Sequence, residues 1–368
     1  MFMAELQEKY IKAVAPYTHS GLLNFKQAPY RAWIGLGGNI ASAYYPWDFL
    51  HGFVYRYELP TIWRSKKEAR LRFVEPISIS FDTFPDYALY EIIPMVWDCW
   101  PCMFEKMCAW LKKHDVRTAI FTSSQAAERI KERFPEMNVL FCPEGIDTSK
   151  YIAGKSLKDR HIDVLEFGRA MLNVNSNSNP NEGLNKRQIR YVCTKVDGKF
   201  VFTDEQLKEA MGDAKVTIAF PRSMTNPDVA GDIETLTQRY WESMLSRMVM
   251  VGHAPKELVD MIGYNPMVEV GSNENETLRY EPMEQRGQND AYINFAESRQ
   301  RETKGQDENN KGNINEEKIR GTVRKVLEHI EDYQELVDKN RETALKMGDW
   351  SLRAVQIMDF LRGCGYKV

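Results

Sequence analysis

Short apolar runs alternate with segments of helical periodicity along most of the chain. RAWIGLGGNIAS, beginning at Arg31, reads as a strand running into glycines, and YEIIPMVWD (90–98) as a second strand. In CMFEKMCAWLKKH (102–114), Met103, Met107, Trp110 and Leu111 recur at helical spacing. A strand, RTAIFTSS, a helix, QAAERIKERF, and a further strand, NVLFCP, follow. PEGIDTSKYIAGKSLKDR (143–160) is rich in turn formers and charge and reads as a linker. The alternation then restarts: HIDVLEFG, RYVCTKV, helix DEQLKEAMGD, strand KVTIAF, helix, strand MVMVG, helix APKELVDMI and strand PMVEV. Strands alternating with helices predict parallel sheets covered on both faces. The expected architecture is therefore two successive α/β units, at about 1–150 and 151–349, with ligands at the carboxyl ends of the strands.

One segment breaks the pattern. From Gly271 to about Lys318 the chain is polar, charged and almost free of aliphatic residues, which predicts an inserted mobile loop rather than a packed element. Helices return with IRGTVRKVLEHIEDYQELVDKNRETALKMG and WSLRAVQIMDFLRGCG.

Composition narrows the function classes. A length of 368 residues with 17 Phe, 17 Tyr and 8 Trp suffices for two cores. A formal net charge of -3 weighs against a general nucleic-acid binder. There is no apolar run of membrane-spanning length, and the opening MFMAELQEKYIKAV lacks the basic-then-apolar order of a signal peptide, so a cytoplasmic protein is expected. Six cysteines in so long a chain do not predict a disulfide framework. The histidines show no ligand spacing, so no metal site is predicted, and His253, just after MVMVG, is expected to be a satisfied loop histidine, the alternative being a place near the site.

The richest stretch is TIAFPRSMTNPDVAGDIETLTQRYWE (217–242). A strand ends at Pro221, a turn-rich loop follows, and a helix is predicted to start near Thr235 or Thr237, both acceptable caps. Free amides at a helix start suit an anionic diphosphate. Glu234 lies just before that helix and Glu242 about two turns inside it. Each carboxylate could accept hydrogen bonds from sugar hydroxyls, or could be an ordinary solvated helix residue.

Strand, loop, E-x7-E, helix and the strand MVMVG together resemble the carboxy-terminal domain of GT-B glycosyltransferases, the large retaining group-1 (family-4-like) set. PEGIDTSKY resembles the hinge of these enzymes, IDVLEFGRA the strand and glycine-arginine opening their donor domain, and MGDWSLRAVQIMDFL their closing helix. The resemblance implies two Rossmann-like domains facing a central cleft, with a helix at about 350–368 packing back on the first. It implies transfer of a sugar from a nucleoside-diphosphate sugar to a glycan, lipid-linked or other acceptor, with retention and without a metal or further cofactor. Glu242 would bind the donor ribose and Glu234 hydroxyls of the transferred sugar. Arg169, beside Gly168, and the amides of Thr235, Leu236 and Thr237 would hold the diphosphate and stabilise it as it leaves. The family usually adds a lysine about five residues beyond that arginine, where this chain has Val174. Arg222, Arg239 or Lys186 would then supply the second cation, though either arginine could instead pair with Asp228 or Asp232.

Three further features stand apart. GLGGN, with Gly37 and Gly38, is either a tight turn or a loop near the donor phosphate, and Asp98 would face the acceptor side where many of these enzymes have a histidine. DCWPC before a helix echoes a thioredoxin motif, which makes a thiol oxidoreductase one rival. The basic-aromatic stretch 55–73 reads as a solvated helix face or as a peripheral contact with anionic lipid. The other rivals are a GT-B sugar-nucleotide epimerase and a catalytically silent carbohydrate-binding or assembly subunit.

Overall fold

The computed structural model describes residues 65–76, 79, 83, 87, 90–168, 172, 189–196, 199–200, 202–270 and 316–366. The chain divides into two compact units, Met1–Glu144 with Trp350–Val368, and Gly145–Asp349. Each is α/β with a parallel sheet, consistent with two Rossmann-like units of the GT-B kind.

The first unit holds β1 (Ser65–Val74), β2 (Tyr90–Val96), α1 (Pro101–Lys113), β3 (Thr118–Phe121), α2 (Ser124–Arg133) and β4 (Asn138–Phe141). Its four strands lie in the order β1-β2-β3-β4, all parallel. Alternate residues point to opposite faces of a strand, and here both faces are packed. Ile92, Val96, Ala119 and Phe121 meet Met107, Trp110 and Leu111 of α1 and Ala126 and Ile130 of α2. Ile93, Met95 and Ile120 form a second cluster with Trp350, Ile357 and Leu361 of α10 (Trp350–Gly363). The C-terminal helix therefore covers one face of the first sheet. Tyr366 anchors its end, donating from its hydroxyl to Glu91 Oε1 at 2.7 Å.

β1 corrects one expectation. Residues 65–73 belong to a strand rather than to a basic helix face, because Ala69, Leu71 and Phe73 alternate with Arg70 and Arg72 at period two. The alternation was obscured by the run of cations before it. Residues 55–64 lie outside the described residues.

The second unit contains β5 (Ile162–Glu166), β6 (Tyr191–Cys193), a short ribbon β7 (Lys195–Val196) and β8 (Lys199–Phe200), α3 (Asp204–Asp213) and β9 (Ala214–Ala219). Then come two single turns, α4 (Arg222–Thr225) and α5 (Pro227–Ala230), followed by α6 (Gln238–Leu245), β10 (Val249–Gly252), α7 (Lys256–Ile262) and β11 (Met267–Glu269). Helices α8 (Glu316–Glu328) and α9 (Gln334–Met347), separated by a 3-10 turn at Ile330–Tyr333, complete it. Glu316 and Glu317 already form the first turn of α8, so the polar insert, most of which lies outside the described residues, ends slightly earlier than expected. The main sheet runs β11-β10-β9-β5-β6, all parallel. Its successive residues feed two cores: Val164, Val216, Val249, Val251 and Val268 pack under Ile319, Val323 and Val326 of α8. Leu165, Met250 and Met267 pack with Met211 of α3 and Tyr240, Trp241, Met244 and Leu245 of α6.

Candidate active site at the strand carboxyl ends

Counting only the main sheet's strands in chain order, the second unit reads 5-4-3-1-2. The direction of winding reverses between β5 and β9, and in open α/β sheets ligands bind outside the carboxyl ends of the strands at such a point. The residues just beyond those ends are Phe167 and Gly168 after β5, Pro221 and Arg222 after β9, His253 after β10, and Glu269 at the end of β11.

Two groups of side chains gather here. In the first, the Arg239 guanidinium from the first turn of α6 lies against Gly168, with Cζ 5.7 Å from the centre of the Phe167 ring. Gly168 has φ +80°, and a Cβ there would collide with Nη2 of Arg239, so only glycine permits this approach. One turn inside α6, rather than the two turns expected, is Glu242, only 5% exposed. The Tyr151 hydroxyl donates to its Oε1 at 3.0 Å. Burial pushes the Glu242 carboxyl up to about 7, against the opposing pull of the Tyr151 bond and of Arg239 and Lys208. Burial and the adjacent carboxylate push the Tyr151 hydroxyl up in turn, so it remains a donor.

The second group surrounds Glu234. Its Oε2 accepts the Lys256 amide at 3.3 Å, and its Oε1 lies 3.4 Å from Nε2 of His253. On the other side of the ring, His253 Nδ1 is 2.9 Å from Glu269 Oε2. Hydrogen bonds to Glu234 and Glu269 raise the imidazole to about 10, overcoming partial burial. Burial opposes ionisation of Glu269, but bonds from His253, the Ala254 amide and Asn265 outweigh it and hold that carboxyl below its ordinary range.

The α6 entrance departs in detail from the expectation. Thr237 is the N-cap, but its side chain makes no capping bond. Thr235 and Leu236 are buried, and the Leu236 amide donates to Glu257 Oε2 at 3.0 Å, so it already has a carboxylate partner. Arg222 opens the single turn α4 directly after β9. Arg169, Gly37, Gly38, Val174 and Lys186 lie outside the described residues. In the first unit, Asp98 follows the carboxyl end of β2, exposed and with φ +48°, a left-handed conformation that aspartate tolerates better than most residues.

Several partners were missed by sequence reasoning. Tyr151 sits in the stretch that reads as a linker, and Glu257 and Glu269 carry no local signal. Glu166, at the end of β5, accepts the Tyr191 hydroxyl and the Leu172 amide. His253 is satisfied, as expected, but one of its two partners is Glu234. The CxxC hint finds no support: Cys99 is buried, burial and the neighbouring Cys108 and Cys102 push its thiol up to about 12, and all six cysteines are free. Among the described residues, no group of acidic, histidine or cysteine side chains is arranged to hold a metal ion, and no helix is long and apolar enough to cross a membrane.

No protein-family model and no curated protein matches the chain. Among solved structures, the crystal structure of TarM aligns over 83% of this chain and 57% of that one, at 12% identity and a TM-score of 0.43. The crystal structure of the GtfA/B complex aligns over 86% and 60%, at 9% identity and a TM-score of 0.41. The chain thus spans less than two thirds of either structure.

Proposed function

We propose that the Gly145–Asp349 unit binds a nucleoside-diphosphate sugar and that the protein transfers its sugar to a glycan, lipid-linked or other acceptor, with retention and without a metal. The observation that carries this reading is the pair of dissimilar carboxylates spaced E-x7-E, one buried and one half-exposed, in the segment that follows β9. Glu242 is buried at the cost of an unfavourable ionisation, whereas the Glu234 side chain is 26% exposed and already ionically paired. Burial of Glu242 costs more than the Tyr151 bond and the nearby cations return, which suits a group retained to bind a ligand.

In this reading the ribose hydroxyls of the donor bond to Glu242, and hydroxyls of the transferred sugar to Glu234. Arg239, lying over Gly168, joins Arg169 in neutralising the diphosphate, offsetting the lysine replaced by Val174. Charge develops on the diphosphate as the glycosidic bond breaks, and these cations and the α6 entrance stabilise it. The Met1–Glu144 unit, with Asp98 at a strand end, would carry the acceptor.

A second reading, a catalytically silent carbohydrate-binding subunit, is favoured by Val174 and by the Leu236 amide already bonded to Glu257. Calorimetric and thermal-shift screening of UDP, GDP, ADP, CMP and dTDP with their sugar conjugates separates the possibilities. One nucleotide family should bind wild type and fail with Glu242→Ala, and its conjugate should then turn over. Binding without turnover favours the silent subunit, and no binding at all overturns both assignments of the site.

A further inference from the structure

Glu234 is not an isolated carboxylate. Its two oxygens are fixed from different directions, Oε2 by the Lys256 amide and Oε1 by the His253 ring. His253 is itself held at every point. Its amide donates to Ala219 O at 3.0 Å, its carbonyl accepts the Tyr240 hydroxyl at 3.2 Å, and its other ring nitrogen meets Glu269 at 2.9 Å. The amide contact depends on Gly252, whose φ of +149° brings β10 so close to Ala219 O that a Cβ would collide with it. Glu269 in turn accepts the Ala254 amide and Asn265 Nδ2, at 3.0 and 2.9 Å.

The chain Glu269–His253–Glu234 therefore runs across the carboxyl ends of neighbouring strands β11 and β10 toward the loop before α6. Its side chains are 24%, 35% and 26% exposed, so it borders solvent rather than lying in a core. The carboxylates lie off opposite ring nitrogens, so they cannot converge on one metal ion with the imidazole. With both ring nitrogens donating, the trio carries one net negative charge, which disfavours an anionic ligand and suits a neutral, hydroxyl-rich one.

We propose that His253 is a positioning residue for sugar recognition, fixing Glu234 as an oriented acceptor for a hydroxyl of the donor's sugar while Glu269 holds the imidazole from behind. This rests on the donor-site reading of the Gly145–Asp349 unit. It extends that reading to two further residues with a single role. The trio reads the sugar, and the nucleoside diphosphate is held elsewhere by Arg239 and Glu242. An imidazole locked between carboxylates presents one of them in a single orientation, as the orienting carboxylate does for a catalytic histidine.

The test compares UDP, GDP, ADP and dTDP with their hexose conjugates by calorimetry, on wild type, His253→Ala, Glu234→Gln and the double variant, each checked for folding by circular dichroism. Wild type should prefer the conjugate over the free diphosphate of its own nucleotide. His253→Ala should lose about tenfold of that preference, the size of one charge-assisted hydrogen bond, while affinity for the free diphosphate stays within about twofold. Glu234→Gln should act similarly, and the double variant should lose no more than the worse single one, because His253 works through Glu234. A second readout needs no ligand: nitrogen-15 NMR at pH 8 should show His253 doubly protonated in wild type, and less so in Glu234→Gln. Equal losses for both ligands, additive losses, or a neutral His253 at pH 8 would each overturn the proposal. If the free diphosphates do not bind either, the donor-site reading falls with it. If they bind normally and His253→Ala leaves the preference intact, only the role of His253 falls.

Discussion

Glu242→Gln should make the protein more stable at neutral and alkaline pH. The carboxyl moves from 4.5 to about 7 on folding, because burial penalises the charge more than Tyr151 and the nearby cations compensate. Between those values the folded state holds a proton that the unfolded state has released. Stability from this group is therefore full below about 4.5, falls as pH rises toward 7, and is level above it. From pH 5 to pH 8 the loss amounts to roughly 2 to 3 kcal/mol at about 1.4 kcal/mol per tenfold change. Glutamine keeps an oxygen for the Tyr151 hydroxyl and cannot ionise, so the variant lacks this slope. Any constant effect of the new amide cancels when the two pH values are compared. Urea unfolding of wild type and variant at pH 5, 6, 7 and 8 measures the difference directly. The gap between them should widen by about 2 to 3 kcal/mol in the variant's favour across that range. Parallel profiles would show that Glu242 is ordinary and solvated, and its retention for a ligand would lose its physical basis.

Other consequences follow from neighbouring contacts. Tyr151→Phe removes the donor to buried Glu242 and should cost about 1 to 3 kcal/mol at pH 8 but little at pH 5, where the carboxyl is protonated; urea unfolding at both values checks this. Gly252→Ala places a Cβ against Ala219 O in a conformation alanine resists, and should lower the thermal midpoint and weaken conjugate binding together, since His253 moves with it. Trp350→Ala empties a buried position between the first sheet and α10 and should destabilise the first unit by about 3 to 5 kcal/mol, read by hydrogen exchange in β2 and β3. Cys99→Ser with Cys102→Ser should leave sugar transfer intact, since neither thiol has a place in the donor site; its loss with donor binding preserved would count against the proposed function.

The strands were legible because parallel sheets buried on both faces demand continuous apolar runs such as VLEF and MVMV, and the helices because their apolar residues keep helical spacing. β1 was not, since its apolar residues alternate with arginines in the sequence, one of which, Arg72, is buried, in a segment that otherwise reads as a charged surface. The break between α8 and α9 was also hidden, as neither proline nor glycine marks Ile330–Tyr333 and the polar-apolar rhythm continues through it. In the site, the spacing of Glu234 and Glu242 is a local fact and could be read directly. Their environments are not local: Tyr151 reaches Glu242 across 91 residues, and Glu257 reaches the Leu236 amide across 21. Nothing in the sequence distinguishes the buried carboxylate from the half-exposed one, because that difference is made by what folds over each.

The central claim is that Glu242 takes the ribose hydroxyls of a nucleotide donor. It is tested most directly by titrating wild type and Glu242→Ala with the preferred nucleoside diphosphate and with its 2′,3′-dideoxy analogue. The account predicts that wild type binds the hydroxylated form at least about tenfold more tightly, consistent with two bonds to a buried carboxylate, and that the variant does not distinguish the two. Equal affinity of wild type for both forms, or an undiminished preference in Glu242→Ala, would contradict it.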